Sequence, residues 1–243
     1  MRLTATQYVL SDKRVPCPVR IAQVSDLHDC LFGTAQSNLL SKLKDFRPDA
    51  IVITGDLFNR HKPHRKENAF CFVKRALTVA PVYFAEGNHE VALNEVGKTY
   101  LKQLSEMGVR ILSNEAAEQS GIRIIGLRQY ATVEELSSLL DANRFNLVLS
   151  HRPERFSILK EAPFDLMLCG HAHGGQFRLG KRGLYAPQQG FFPKLTEGLI
   201  SEDNRKMIVS RGLGNTVLVP RLLNPPELVF VTIHDCKECK TMI

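Results

Sequence analysis

Five short blocks of aspartate, asparagine and histidine punctuate this chain, and each follows directly on an apolar, strand-like run. The blocks are Asp26-Leu27-His28, Gly55-Asp56, Gly87-Asn88-His89-Glu90, Ser150-His151 and Gly170-His171-Ala172-His173-Gly174-Gly175. The runs before them, Ile21–Val24, Ile51–Ile53, Val82–Phe84, Leu147–Leu149 and Leu166–Leu168, have the length and character of buried strands. Every block therefore sits just past a strand's carboxyl end, where open α/β sheets build their sites.

Between the runs the period changes. Gln36–Phe46 carries Leu39, Leu40 and Leu43 on one stripe, Lys66–Thr78 carries Phe70, Val73 and Leu77, and Glu95–Met107 carries Val96, Tyr100, Leu101 and Leu104 before Gly108. These spacings predict helices. Thr132-Val-Glu-Glu135 is a capping-box pattern ahead of Leu136, Leu139 and Leu140, so a short helix is expected there. With strands at Arg2–Leu10, Val19–Ser25 and Ala50–Thr54, the first half reads as repeated βαβ units. From Gly121 the texture turns to short β runs at Ile122–Leu127, Phe145–Ser150, Phe164–Cys169, Met207–Ser210 and Leu228–Ile233. Helices among strands first and mostly strands later predict an α/β fold of two stacked sheets, helices outside, in one domain spanning 1–243. Gly174–Gly198, with six glycines and two prolines, reads as a long loop beyond the last histidine pair.

At 243 residues and 44% hydrophobic content the chain is long enough for a full core. No stretch approaches the ~18 apolar residues of a spanning helix, and the start has no uninterrupted apolar segment of signal-peptide length. The cysteines at 17, 30, 71, 169, 236 and 239 show no disulfide-framework spacing, so a reducing cytoplasm is the expected setting. Cys236-Lys-Glu-Cys239 is a lone CxxC without a second pair and reads as a tail. The net charge of +7 suits an anionic substrate or surface, but the basic residues are dispersed, and the loose group from Arg60 to Arg75 reads as a solvated helix face. The chain carries no zinc-finger, RRM or helix-turn-helix signature, so nucleic acid enters only as a candidate substrate.

A lone Asp-x-His is common, but all five blocks in one order are not. His28, His89, His151, His171 and His173 lie within them, whereas His61, His64 and His234 read as surface or loop residues, His61 or His64 near the rim. The set resembles the calcineurin-like metallophosphoesterase superfamily, whose pattern is D-x-H, GD-x-x-(D/N)-R, GNH-(D/E), H and GH-x-H. The second element is here Gly55-Asp56-Leu57-Phe58-Asn59-Arg60. The stretches Ser210–Thr216 and Pro220–Leu228, with Gly170–Gln176, resemble the small bacterial phosphodiesterase branch. Many members of that branch carry an amino-terminal membrane or export segment, which is not expected here.

The resemblance implies a four-layer α/β/β/α fold, two stacked mixed β-sheets flanked by helices. It also implies two divalent transition metal ions, one on Asp26, His28, Asp56 and His173, the other on Asp56, Asn88, His151 and His171, with Asp56 bridging. Carboxylate and imidazole donors suit Mn, Fe, Zn or Co, and no thiolate occupies a ligand position. A carboxylate bridge brings such ions to roughly 3.5–4 Å, close enough to share a hydroxide nucleophile. His89 is implied as the general acid for the departing alkoxide, a task suited to an imidazole with a reference pKa near ~6.5. Arg60 and Asn88 are implied phosphate-binding residues, Arg60 through its forked donors. Some branches have an aspartate at the position of Asn59 that orients the catalytic histidine; Asn59 can accept a hydrogen bond there but cannot stabilise an imidazolium as a charge would, with Glu90 as a candidate helper. The activity implied is that of a phosphodiesterase, the partner a phosphoester substrate selected by loops such as Gly174–Gly198. An alternative is a pyrophosphohydrolase of a nucleotide-linked lipid precursor, with Leu184, Tyr185, Phe191 and Phe192 facing acyl chains, although packing on the sheet is expected of them. A catalytically inactive scaffold of the same fold would need no such intact ligand set.

Overall fold

The computed structural model describes residues 2–180, 182–186, 189–215 and 221–235. β1 (Thr4–Ser11) alternates between exposed and more buried positions as an edge strand should, whereas β2 (Val19–Val24), β3 (Ala50–Ile53) and β4 (Val82–Phe84) are buried nearly throughout. A strand covered on both faces needs apolar side chains at successive positions, which is why those runs lack alternation. β2, β3 and β4 pair in parallel, Ile21 beside Ala50 and Ile51 beside Val82, with α1 (Ser37–Phe46) and α2 (Glu67–Ala76) as crossovers. Beyond β4 come α3 (Asn88–Ala92), α4 (Glu95–Glu106) and the short β5 (Arg110–Ile111).

The second half supplies β6 (Glu115–Gln119), β7 (Ile122–Gly126), α5 (Val133–Leu139), β8 (Phe145–Leu149), α6 (Phe156–Leu159) and β9 (Leu166–Cys169). Thr132 and Glu135 close the expected capping box on α5, the Glu135 N–H donating to Thr132 Oγ1 at 3.2 Å and the Thr132 N–H to Glu135 Oε2 at 2.7 Å. The glycine-rich segment carries two small hairpins, β10 (Arg178–Leu179) with β11 (Arg182–Gly183), and β12 (Tyr185–Ala186) with β13 (Gly190–Phe191). β14 (Gly198–Glu202), β15 (Arg205–Val209) and β16 (Glu227–His234) follow.

Two six-stranded sheets result, in the orders β1-β16-β2-β3-β4-β5 and β14-β15-β9-β8-β7-β6. Both are mixed. β16 runs parallel to β1 and antiparallel to β2, while antiparallel pairs β6–β7 and β14–β15 flank the parallel core of the second sheet. Alternate residues of one strand serve different layers. Ala22 and Val24 of β2 pack with Leu39, Leu43 and Phe72 of the helices, while Ile21 packs with Val52, Leu147 and Leu166 between the sheets. On the far side Val148 and Met167 meet Leu136, Phe156 and Leu159. This is the expected fold class, and its inner layer is the part least tolerant of change: truncating Leu147 to alanine removes a side chain buried from both sheets and costs ~2–5 kcal/mol.

Polar side chains also cross the seam. Gln23 Nε2 donates to Thr54 Oγ1 and to the Cys169 carbonyl, both at 2.9 Å, tying the carboxyl end of β3 to that of β9. The cysteines at 236 and 239 lie outside the described residues, and Cys17, Cys30, Cys71 and Cys169 are unbridged. Among the described residues no helix is long and apolar enough to cross a membrane.

Candidate metal centre

The residues after five strands converge at the carboxyl edges of both sheets. Asp26 and His28 follow β2, Asp56 follows β3, and Asn88 opens α3 after β4, while His151 follows β8 and His171 and His173 follow β9. The chain turns sharply at each point. Asp26, His28, Asp56, His171 and His173 have φ of 53°, 50°, 53°, 68° and 47°. A left-handed conformation costs an ordinary residue ~1–2 kcal/mol and persists only where neighbours over-determine it. Here the Asp26 N–H donates to the Gly55 carbonyl at 3.1 Å, the His28 N–H to the Asp56 carbonyl at 3.0 Å, and the Leu213 N–H to the Ser25 carbonyl at 3.0 Å. The motif glycines leave room for this crowding: a Cβ on Gly87 would strike the Asp56 carboxylate, and one on Gly170 would strike Ser25 Oγ.

Among the described residues three buried groups of ligand atoms form, Asp26–His28–His173, His28–Asp56–His89 and Asp56–His151–His171, with the atoms of each within 4.8 Å of one another. Asp56 belongs to two of them. Its Oδ2 lies 3.9 Å from His28 Nε2, 3.2 Å from His151 Nε2 and 3.9 Å from His89 Nε2, while its Oδ1 accepts the His89 N–H at 2.8 Å. Asp26 Oδ1 is 3.6 Å from His173 Nε2 and 4.0 Å from His28 Nε2. Asp26 is itself held by Ser25 Oγ at 2.6 Å and by the His171 N–H.

The donor set fits divalent cations. His28 Nδ1 faces the Phe58 carbonyl at 3.2 Å and His151 Nδ1 faces the Thr54 carbonyl at 2.8 Å, so both rings keep their proton outside and aim the Nε2 lone pair inward. Inside, His28 Nε2 meets His173 Nε2 at 3.3 Å, and His151 Nε2 meets Asn88 Oδ1 and His171 Nδ1, each at 3.1 Å. Lone pairs and carboxylate oxygens facing one another in a buried space need a cation between them. Without a metal, a proton on His151 meets part of that demand. Burial pushes His28 and His173 down and, with the charge on His151, takes His171 to about 2. Burial also opposes charge on His151, but the Asp56 carboxylate prevails and raises it to about 9. Burial would raise Asp56 as well, yet His151 and His28 hold it well below the ordinary carboxylate range.

His89 lies beside this centre, buried, its ring 4.6 Å from that of His28. Its Nδ1 accepts the Arg60 backbone N–H at 3.1 Å, which leaves the Nε2 proton facing Asp56. Burial, with Arg60 nearby, lowers its pKa to about 4. Asn59 does not use its acceptor on His89. Its Oδ1 turns to the His61 N–H at 3.0 Å, because the turn after Asp56 brings the Arg60 amide, rather than the Asn59 side chain, to His89. Arg60 is exposed at the mouth with its Nε 3.4 Å from His61 Nε2, and the His61 ring stands edge-on to His89 at 5.7 Å, on the rim as expected.

Glu90 is committed to the backbone. Its Oε2 accepts the N–H groups of Asp56 at 2.9 Å and Gly87 at 2.8 Å, and its Oε1 accepts that of Phe58 at 3.0 Å, so it holds the Gly-Asp turn against the start of α3. Sequence reasoning weighed it only as a helper in proton transfer. Two further residues went unnamed. Asn224 Nδ2 donates to the His173 carbonyl at 2.7 Å, and Arg221 donates to the carbonyls of Gly214, Arg211 and Asn224 at 3.0, 2.9 and 3.1 Å. Both lie in the Pro220–Leu228 stretch, which was the available signal. The four apolar loop residues do not pack on the sheet. Leu184, Tyr185, Phe191 and Phe192 are 39%, 44%, 73% and 75% exposed, because among the described residues of the hairpin that bears them it is Ala186 that enters the core.

The sequence profile of the calcineurin-like phosphoesterase family matches residues 19–175, a span that includes every candidate ligand. The chain belongs to that family. As a calcineurin-like phosphoesterase it is a metal-dependent phosphoester hydrolase of a family that uses a dinuclear centre. It is 29% identical to the uncharacterised metallophosphoesterase YkoQ of Bacillus subtilis over 87% of this chain and 82% of that protein. It is also 29% identical to the phosphodiesterase YaeI of Escherichia coli, over 82% of this chain and 76% of the relative. Identity to the UDP-2,3-diacylglucosamine pyrophosphatase LpxG of Chlamydia trachomatis is 27%, over 86% and 82%. A solved structure with 12% identity aligns with a TM-score of 0.51 over 79% of this chain and 90% of that one, a likeness of fold.

Proposed function

We propose that this calcineurin-like phosphoesterase is a phosphodiesterase in which Asp26, His28, Asp56 and His173 hold one divalent transition metal and Asp56, Asn88, His151 and His171 the other. The observation that carries the reading is Asp56 Oδ2, placed between His28 Nε2 at 3.9 Å and His151 Nε2 at 3.2 Å, one from each half of the centre. Bound there, manganese, iron, zinc or cobalt ions would supply Lewis-acid chemistry, acidifying the attacking water and offsetting charge on the phosphoryl oxygens. The protein's own groups arrange the rest. His89, pinned through its backbone N–H to Asp56, presents Nε2 to the leaving alkoxide, and its imidazolium form, favoured by the Asp56 carboxylate and an anionic substrate, gives up that proton and returns to neutral imidazole as the general acid. Asn88 and Arg60 bind the phosphoryl group.

The preference for diesters rests on the cations near the site. Arg60 stands at the mouth, whereas Arg152 is held by Gln129 and Glu154, and Arg221 is spent on backbone carbonyls. A dianionic monoester would draw on more positive charge than that. The likeness to YaeI points the same way. Catalytic efficiencies on an aryl diester and an aryl monoester with one leaving group test the reading, and a monoester preference overturns it. The likeness to LpxG supports a second reading, cleavage of a pyrophosphate bond in a nucleotide-linked lipid precursor, distinguished by release of a nucleoside monophosphate. In either case residues 1–243 act as one catalytic domain, because the candidate ligands come from strands of both sheets. The unbridged cysteines support a cytoplasmic setting.

A further inference from the structure

The hairpins after His173 present large apolar side chains that nothing among the described residues covers. They hang from the turn that bears His173, the Leu184 N–H donating to the Gly175 carbonyl at 3.1 Å and the Phe192 N–H to the Leu184 carbonyl at 2.9 Å. Tyr185 and Phe191 pair their rings at 5.6 Å, and Phe191 and Phe192 are 73% and 75% exposed. Leu222 and Leu223, 49% and 66% exposed, belong to a segment fastened to the same turn through the Leu222 N–H and Gln176 carbonyl at 3.3 Å. Large apolar side chains gathered in this way mark an interaction surface.

Charge identifies the partner. Residues 174–198 hold Arg178, Lys181, Arg182 and Lys194 against a single acid, Glu197. Arg178 is buried and ion-paired with that acid, while Arg182 and Lys194 are exposed beside the aromatic tip. A second copy meeting this face about a two-fold axis would set these cations against their own counterparts. Aromatic rings flanked by lysine and arginine instead match a bilayer interface, where rings settle at headgroup depth and cations are drawn to anionic lipid.

We propose that this face docks the protein on an anionic lipid surface, seating Phe191 and Phe192 among the headgroups and bringing the centre beside His173 to the membrane. The proposal does not depend on which phosphoester bond is cut, and its test involves no turnover. The full chain is sedimented with vesicles of phosphatidylcholine alone and of phosphatidylcholine with phosphatidylglycerol in equal parts. It pellets with the mixed vesicles only and is released by high salt, which screens exposed charge. Arg182→Gln with Lys194→Gln weakens partitioning about fivefold per cation. Phe191→Ser with Phe192→Ser weakens it by ~tenfold or more, the equivalent of half-burying a phenyl ring. Both double variants keep the wild-type thermal midpoint, since all four side chains are exposed. Absence of pelleting with the mixed vesicles, or equal pelleting with both kinds, overturns the proposal. So does a dimer in light scattering that Phe191→Ser with Phe192→Ser converts to monomer, which would assign the face to a second copy.

Discussion

His89 and Glu90 are neighbours with opposite tasks, and substitution separates them. The His89 side chain meets the centre through its ring, and its backbone N–H to Asp56 survives truncation. His89→Ala is therefore expected to keep its metals while losing turnover by about a hundred- to ten-thousand-fold on an alkyl diester, the range of general acid catalysis. An activated nitrophenyl ester leaves unaided and should lose far less; equal losses on the two would make His89 a positioning residue. Glu90 accepts three backbone N–H groups, so Glu90→Gln turns an amide nitrogen towards donors that an oxygen had satisfied. Denaturant unfolding should show a loss of ~1–3 kcal/mol, the cost of leaving a buried donor unpaired, together with weakened metal retention, since Asp56 is the residue it steadies. Unchanged stability would contradict the clamp.

At the scale of elements, a glycine that opens a motif and one in the β6–β7 turn separate crowding from backbone freedom. Gly87 precedes α3 with extended backbone, and a methyl group there meets the Asp56 carboxylate. Gly121 has φ of +84° and no atom within 4 Å of an added Cβ. Gly87→Ala should lose metal and ~1–3 kcal/mol through overpacking. Gly121→Ala should cost only its backbone strain, ~1–2 kcal/mol, and keep its metals; comparable metal loss in both would mean that crowding at Asp56 is not what Gly87 relieves. Several elements were legible before the fold was known. The runs ending at Val24, Ile53 and Phe84 are buried on both faces, α1 buries the expected Leu39, Leu40 and Leu43, and Thr132 announces α5, whereas α2 buries Ala69, Phe72, Val73 and Ala76 and keeps Phe70 and Leu77 at the margin of that face. β16 was readable as a strand but not as one lying between β1 and β2, since only long-range pairing decides that. β6, Glu-Ala-Ala-Glu-Gln, has little intrinsic β character and exists because β7 offers an edge. The candidate ligands were visible as motifs, but the Thr54 and Phe58 carbonyls that orient His151 and His28 are backbone groups with no letter of their own. Phe191 and Phe192 were misjudged because apolar residues default to burial, a rule with many exceptions in one direction.

Across the whole molecule, the centre closes the seam between two sheets, so its charge state bears on the stability of both. In metal-free protein, His28, His89, His171 and His173 have folded pKa values pushed down by burial, so the unfolded chain binds more protons below ~6.5 and stability rises with pH up to that point. His151 works in the other direction. Its pKa is raised to about 9, so its contribution is full below ~6.5 and is lost as pH climbs through the folded value. The thermal midpoint of chelator-treated protein is thus expected to peak near pH ~6.5 and fall towards pH ~9, and a midpoint that keeps rising across that interval would contradict the placing of His151 against Asp56. The central claim is that Asp56 is shared by two metal sites. Elemental analysis of purified wild type, Asp56→Asn and Asp26→Asn measures it directly. The expected result is two ions per chain in wild type, loss from both sites in Asp56→Asn and loss of one in Asp26→Asn, whereas wild-type metal content in Asp56→Asn would contradict the shared site.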